Sequence, residues 1–183
     1  MKYEQQITLK NGKTAILRSA VEADGKAVLE NFIATHEETD CLLPYADEIR
    51  IGVKDEEEFL KRKSESENEI QIIAVVDGVV VGNAGITSLG TRYKVRHRAE
   101  FGISILKEFW GLGIGRALTN ACISCAKEAG YEQLELEVVA ENTSAVALYK
   151  KAGFVEFGRN PKGFKSRISG YQELVSMRLE LDK

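Results

Sequence analysis

The chain reads RAEFGISILKEFWGLGIGR over residues 98–116, a strand pattern followed by a glycine-rich turn and the start of a helix. Apolar residues alternate over 99–105, and Glu100 projects from the opposite face. Glycine has no Cβ to block the approach of a ligand, and the first N–H groups of a helix favour negative charge. The turn therefore predicts an anion site, to which Arg116 can add a charge-assisted contact.

Two nucleotide-binding motifs that contain a similar turn do not fit this one. A P-loop needs a lysine and a hydroxyl residue after its last glycine, and neither follows here. The dinucleotide fingerprint G-x-G-x-x-G also fails, because its last glycine would fall on Arg116 or on Leu118. The turn is therefore expected to bind an anionic ligand by a motif other than these two.

Downstream of the turn, the pattern predicts a helix, a strand, a second helix and two final strands. The first helix repeats apolar residues at i, i+3, i+4 and i+7 from Ile114 and ends at Gly130. Residues 134–138 alternate as a strand, and Asn142 caps a short helix that Gly153 closes. The final strands are expected at residues 154–157 and 173–181.

Upstream, two hairpins and two helices are predicted. Asn11-Gly12 and Asp77-Gly78 are turn pairs that accept positive φ, so each predicts a hairpin. Ser19 is expected to cap the first helix, a loop with room for a short helix follows at 34–54, and a charged helix runs over 55–68. The inward face of the first helix is expected to carry Val21, Val28, Leu29, Phe32 and Ile33. This order predicts an α/β fold, a mixed sheet with helices on both faces, in a single domain over residues 1–183.

Composition narrows the classes of partner. The 183 residues carry a net charge of −3, which argues against nucleic acid because phosphate binding needs a dense basic surface. The apolar run at 72–76 is too short to span a bilayer, and the first six residues contain no apolar signal core. We therefore expect a cytoplasmic protein that binds neither nucleic acid nor membrane.

The three cysteines and two histidines do not form a pattern typical of a metal site. Cys122 and Cys125 have the C-x-x-C spacing but lie within the helical pattern, where small apolar cysteines are common in cores. Zinc would need two further ligands from His36, His97 and Cys41. In addition, His36-Glu-Glu-Thr-Asp40 lacks the second histidine of H-E-x-x-H, so no metal is expected.

Two motifs in order resemble those of the GNAT superfamily of N-acetyltransferases. Gly113 and Gly115 match its motif A, Arg/Gln-x-x-Gly-x-Gly/Ala, although Trp110 stands where Arg or Gln is usual. Residues 142–154, NTSAVALYKKAGF, match every fixed position of its motif B, N-x-x-A-x-x-L-Y-x-x-x-G-F. The variant with an aromatic residue before the glycines resembles bacterial acetyltransferases of ribosomal proteins and small amines. The specific motifs occupy about residues 99–154, whereas the order of elements resembles the family over nearly the whole chain.

The resemblance implies a fold, a cosubstrate and residue roles. The sheet would be mixed and mostly antiparallel, and acetyl-CoA would bind with its pyrophosphate on the turn and its pantetheine arm along the main chain of the strand. Tyr149 would protonate the departing thiolate, and Glu100 would deprotonate the amine. The implied cofactor-binding residues are Ile103, Ser104, Ile105, Trp110, Gly111, Leu112, Gly113, Ile114, Gly115, Arg116, Asn142, Leu148 and Tyr149.

Other interpretations of these residues remain open. Tyr149 can be a core residue that packs on the sheet. Glu100 can be a surface carboxylate paired with Arg98 or Arg96, and His97 is the second candidate base because imidazole titrates near neutrality.

The acceptor is expected to be a primary amine of a small molecule or a peptide. In the family, the acceptor groove is built mainly from the first two helices, the loop between them and the loop before the last strand. The first of these loops is acidic and favours a cationic acceptor, whereas the later loop is basic and favours an acidic one, so the sequence leaves the choice open. The acids are Glu37, Glu38, Asp40, Asp47 and Glu48, and the bases are Arg159, Lys162, Lys165 and Arg167. A homodimer is implied by the resemblance, and an acyl-CoA sensor or scaffold without turnover is the alternative function.

Overall fold

The computed structural model describes residues 1–181, in which eight strands and four α-helices form one layered unit. The strands are β1 Glu4–Thr8, β2 Thr14–Ser19, β3 Ile70–Val76, β4 Val79–Ser88, β5 Arg98–Ile105, β6 Gln133–Val139, β7 Val155–Ser166 and β8 Gly170–Glu180. The helices are α1 Gly25–Glu37, α2 Val53–Glu65, α3 Ile114–Glu128 and α4 Thr143–Lys151.

All strands belong to one mixed sheet in the order β1-β2-β3-β4-β5-β6-β8-β7. Helices cover both faces, because alternate strand residues point to opposite sides. On β3, Ile72 and Ala74 pack in the cluster that contains Leu118 of α3, whereas Ile73 packs on the other side with Val28 of α1 and Leu60 of α2. The predicted mixed, mostly antiparallel sheet with helices on both faces is confirmed.

The sheet opens between β5 and β6, its one parallel pair within residues 1–181. These strands pair from Arg98 to Glu100 with Gln133 to Glu135 and then separate. Beyond that point β5 stays paired with β4 as far as Ile105, while β6 stays paired with β8. The separation leaves one side of the β5 backbone open over its last residues, directly before the glycine-rich turn.

Both predicted hairpins form around Asn11-Gly12 and Asp77-Gly78, but the predicted cap of α1 is wrong. Ser19 ends β2, where its Oγ accepts a hydrogen bond from the Tyr3 N–H. A 3₁₀ turn at Glu22–Asp24 separates it from α1, and Val21 is exposed rather than inward. Asp24 is the N-cap residue of α1, but its carboxylate accepts from the N–H of Val21 and pairs with Arg18, so no side chain caps this helix by a hydrogen bond.

The last two strands are longer than predicted, and the expected basic loop is part of a strand. Arg159, Lys162 and Lys165 lie in β7, and Arg167 lies in the tight connection to β8. The pattern predicted only the start of β7, at residues 154–157, because Pro161 and two glycines interrupt the rest. An edge strand tolerates proline, and β7 pairs with β8 alone, with two register shifts.

None of the helices within residues 1–181 is long and apolar enough to cross a membrane.

Candidate active site

The glycine-rich turn has a backbone conformation that favours glycine at two positions. Gly111 has a φ of +74° and Gly113 a φ of +106°, the left-handed region in which a Cβ is strained. A Cβ built on either residue would meet no protein atom within 4 Å, so the turn faces open space. Gly113 is the N-cap of α3, and the N–H groups of residues 114–116 have no partner within the helix. Ile114 is fully buried and anchors the turn to the core.

The turn borders a cleft of about 840 Å³, which we call the cationic cleft. Its walls also include the end of β5, the first residues of α4 and part of the first hairpin. Within residues 1–181, its lining contains three cationic side chains, Lys10, Arg116 and Lys151, and no carboxylate. Positive charge and unpaired helix N–H groups together favour a phosphate-bearing ligand.

At alternate residues of β5, the main-chain N–H and C=O groups face this cleft. The Leu106 N–H donates to the Val81 carbonyl, and the Leu89 N–H donates to the Arg98 carbonyl. In an antiparallel pair this fixes the even-numbered residues of β5 as those bonded to β4. The main chain of Ser104 is therefore engaged in the sheet, whereas those of Ile103 and Ile105 face the opening.

Trp110 binds one of these main-chain groups, the carbonyl of Ile105. Its indole Nε1 donates to the Ile105 carbonyl over 2.7 Å, while 48% of the residue remains exposed. At the position where the family motif has Arg or Gln, this chain therefore has a residue that binds the strand. The N–H and carbonyl of Ile103 and the N–H of Ile105 remain to bind an extended amide chain, in the manner of an added strand.

Tyr149 reaches the same cleft from α4. The helix begins where the Asn142 side chain accepts from the Ala145 N–H, as predicted, and Leu148 also lines the cleft. The Tyr149 ring packs edge-on to Phe101 with 6.1 Å between centroids, and burial raises the pKa of its hydroxyl to about 12. Tyr149 is therefore both a core residue and a protonated group at the cleft wall, so the two interpretations of it are compatible.

A second cleft of about 690 Å³ lies on the face of the sheet covered by α1 and α2. We call it the acidic cleft, because its lining contains four carboxylates, Asp55, Glu56, Glu58 and Glu100, and one guanidinium, Arg62. The two clefts share Leu42, Ile103 and Ser104 in their walls. They therefore meet at the end of β5, where the sheet opens.

Glu100 lies in the acidic cleft, exposed, with no hydrogen-bond or ion-pair partner among the described residues. The proposed pairing with Arg98 or Arg96 does not occur, because Arg98 binds Glu135 and Arg96 stacks over the Tyr93 ring. Glu100 and Tyr149 thus line different clefts, on the two sides of β5.

His97 lines neither cleft. It lies directly before β5, and its carbonyl accepts from the N–H groups of Glu132 and Gln133. Its position therefore favours Glu100 as the residue able to reach an amine in the acidic cleft.

Sequence reasoning missed His36, which the structure places in the acidic cleft. The side chain is 6% exposed, and its Nδ1 lies 2.6 Å from the Phe32 carbonyl. Because a carbonyl accepts, Nδ1 carries the proton and Nε2 is left as an acceptor. Burial lowers the pKa of the ring, which keeps it neutral. Its position four residues after Phe32, on the inner face of α1, was the available signal.

A buried amide pair holds the side chain of Ser104 at the junction of the clefts. Asn83 Nδ2 donates to Ser104 Oγ over 3.1 Å and to Asn31 Oδ1 over 2.9 Å. Gln71 in turn donates to Asn83 Oδ1. Because Ser104 Oγ accepts from Asn83, its own proton is directed elsewhere, and this side chain lines both clefts.

The acidic segment noted in the sequence contacts the connection between β7 and β8. Arg167 binds the Asp47 carboxylate over 2.8 Å and Glu48 over 3.1 Å. Asp40 accepts from Ser166 and Tyr45, and Glu38 accepts from a main-chain N–H. These residues and Glu37 do not line the acidic cleft, so the charge at the candidate acceptor site comes from α2 and β5.

The cysteine pair lies in the core. Cys122 and Cys125 are 0% and 1% exposed, and burial raises the pKa of both thiols, that of Cys125 to about 11. No group of three His, Cys, Asp or Glu residues within residues 1–181 is arranged to hold a metal ion.

Comparison with known proteins shows which family and which proteins this chain is similar to. Residues 33–154 match the acetyltransferase (GNAT) family. The L-amino acid N-acetyltransferase AaaT of Escherichia coli (strain K12) is 33% identical over 93 residues, which cover 50% of this chain and 57% of that protein. The chain thus spans little more than half the length of this curated relative.

Solved structures share the fold over nearly the whole chain. An acetyltransferase of the GNAT family from Streptococcus pneumoniae superposes with a TM-score of 0.87 at 29% identity, covering 92% of this chain and 99% of that one. The yncA protein of Salmonella typhimurium, solved with its cofactor acetyl-CoA, gives a TM-score of 0.79 at 20% identity over 91% of this chain and 94% of its own. Transfer of acetyl groups from acetyl-CoA to amines is the activity of this family.

Proposed function

The chain belongs to the acetyltransferase (GNAT) family, and from that premise we propose that it is an acetyl-CoA-dependent N-acetyltransferase acting on a primary amine. The observation that carries the proposal is the meeting of two oppositely charged clefts at Ile103 and Ser104. An anionic cosubstrate fits the cationic cleft and an ammonium-bearing acceptor fits the acidic one, so their reactive ends meet where the sheet opens.

In this proposal, acetyl-CoA binds along the turn and the open edge of β5. Its phosphates accept hydrogen bonds from the N–H groups of the turn and the start of α3, with Arg116 adding a cationic contact. Its pantetheine amides pair with the main chain of Ile103 and Ile105. The open space that a Cβ on Gly111 or Gly113 would enter fits a ligand in close contact with the backbone.

The transfer needs one base and one acid, and each cleft supplies one. Glu100 takes a proton from the ammonium group, directly or through water, and the free amine attacks the thioester carbonyl carbon. A C–N bond forms, the C–S bond breaks, and the thiolate takes the proton of the Tyr149 hydroxyl. The acylated nitrogen loses its extra proton to water, from which Tyr149 is protonated again. The raised pKa of Tyr149 keeps that proton in place at neutral pH until the thiolate forms.

We further propose, from the family resemblance, a cytoplasmic homodimer in which residues 1–183 form a single domain. A monomer mass by light scattering at assay concentration would contradict the dimer.

Binding and turnover measured together test the proposal. Acetyl-CoA and CoA should raise the melting temperature, because a ligand that binds the folded state stabilises it, whereas ATP and NAD should have little effect. A library of primary amines should then release free CoA thiol from acetyl-CoA. Stabilisation by acetyl-CoA without thiol release by any amine would favour the sensor or scaffold instead.

A further inference from the structure

Glu56 is a buried carboxylate without a partner. It lies in the first turn of α2, is 8% exposed, and makes no hydrogen bond or ion pair through its side chain within residues 1–181. Lys63 on the same helix is 3% exposed, yet its Nζ donates to Glu69, Thr87 and the Ile86 carbonyl. Burial raises the pKa of Glu56, as expected for a buried carboxylate that no hydrogen bond or ion pair stabilises.

This carboxylate faces a ligand site rather than sealed protein. Glu56 lines the acidic cleft, and its oxygens are not among the sealed, unpartnered atoms of the described residues. Aromatic and aliphatic side chains, including Phe32, Phe59 and Leu43, share that lining with polar and charged ones, among them Arg62. A neutral acceptor would leave the buried carboxylate unpaired. A cation on an apolar chain would pair with the carboxylate and pack its chain against the apolar side chains.

Of the four carboxylates that line the acidic cleft, Glu56 and Glu100 belong to different elements of the fold. Helix α2, which carries Glu56, packs on α1 and β3, whereas Glu100 lies on β5. Strands β3 and β5 flank β4, so they are two strand spacings apart, or about 10 Å. A molecule with two cationic groups joined by several methylenes can place one group at each of these carboxylates.

We propose that the acceptor is a primary amine carrying a second cationic group on an aliphatic chain, with Glu56 binding the second cation and the reacting amine at Glu100. This inference rests on the proposed acetyl transfer. Glu56 is then the residue that selects doubly charged amines over singly charged ones of equal length.

Matched amines test this selection. Terminal diaminoalkanes of three to eight carbons are compared with n-alkylamines of the same length, as kcat/KM with acetyl-CoA. The protein should prefer the diamine by at least about tenfold at its best length, since a charged hydrogen bond replaces a desolvated, unpaired carboxylate. Glu56→Gln should bring that ratio close to one, whereas Glu57→Gln, which removes the same charge one residue along and outside the cleft, should retain it. A ratio that survives Glu56→Gln, or no preference at any length, would overturn the inference.

A second measurement separates this inference from the proposed activity. Calorimetry of the best diamine against the CoA-saturated protein needs no turnover, and Glu56→Gln should weaken that binding about tenfold or more. Binding that depends on Glu56 without any acetylation would support the cation site and contradict the enzyme. Acetylation of amines that depends on Glu56 in neither measurement would support the enzyme and contradict the cation site. Circular dichroism of the near-isosteric variant confirms that it is folded.

Discussion

The two clefts that meet at β5 have opposite charge and are built from different kinds of group. The cationic cleft presents main-chain groups of the turn, the start of α3 and the open edge of β5, with Lys10, Arg116 and Lys151 around them. The acidic cleft offers side chains of α1, α2 and three strands, including an unpaired buried carboxylate. A main-chain site fixes one ligand through backbone geometry, whereas a side-chain site can change specificity by single substitutions. We therefore expect the first cleft to serve the common cosubstrate and the second to select the acceptor.

The largest effect is expected at Tyr149, the proposed acid of the cationic cleft. Tyr149→Phe removes one hydroxyl and retains the packing on Phe101 and Phe154, so kcat should fall by ~10²–10⁴ with little change in acetyl-CoA affinity. Steady-state kinetics and calorimetry measure the two quantities. Because the pKa of Tyr149 is about 12, its hydroxyl should cause no loss of activity between neutral and mildly alkaline pH.

The matched control is Tyr131→Phe, a tyrosine 4% exposed that lines neither cleft and should leave turnover unchanged. Full turnover by Tyr149→Phe would show that water or another group protonates the thiolate.

The second effect is expected at Glu100, the proposed base of the acidic cleft. Glu100→Gln should lower kcat/KM for the amine by about 10²-fold near neutral pH, because the amine loses its proton acceptor, and leave acetyl-CoA affinity nearly intact. His97→Ala is the comparison, since His97 lines neither cleft. Greater damage from His97→Ala in a folded protein would reverse the assignment.

A smaller effect on binding is expected at the turn. Gly113→Ala places a Cβ in the open space of the cationic cleft at a φ of +106°, so the acetyl-CoA Kd should rise about tenfold or more, by calorimetry. Gly78→Ala, at a φ of +83° in a hairpin remote from both clefts, imposes similar backbone strain. Equal weakening by the two variants would mean that strain alone, and not the cleft, accounts for the loss.

These sites differ in how much of them could be read from the sequence. The turn and Asn142, Leu148 and Tyr149 lie in two short segments with recognisable local patterns, and both segments line the cationic cleft. The acidic cleft is assembled from α1, α2 and three strands, and no local pattern brings Glu56, His36 and Asn83 together. Of its carboxylates the sequence singled out only Glu100, and the acids of residues 37–48 do not line this cleft, because Asp47 and Asp40 contact the β7–β8 connection.

The fold shows the same division between local and distant determinants. Hairpins at Asn11-Gly12 and Asp77-Gly78 follow from the turn residues themselves, and both were predicted. The second part of β7 depends on its pairing with β8, so Pro161 concealed the continuation of a strand that was predicted only over residues 154–157.

The smallest effect is on stability and isolates the charge of the acidic cleft. The pKa of Glu56 is raised above its ordinary value of 4.5, so its favourable contribution to folding is present below that value and is lost as pH rises through the folded pKa. At neutral pH, Glu56→Gln should therefore be more stable than the parent and unfold at a higher Tm. The difference should vanish in acid, and Glu57→Gln should not show it. A less stable Glu56→Gln at neutral pH would mean that the carboxylate has a stabilising partner.

Hydrogen exchange with and without CoA tests the division between the clefts most directly. The account predicts slower exchange in peptides covering 103–105 and 111–117, where main-chain N–H groups would bind the pantetheine and the phosphates, and no change in α2, Val53–Glu65. Protection of α2 by CoA, with the turn unaffected, would place the cosubstrate in the acidic cleft and contradict the account.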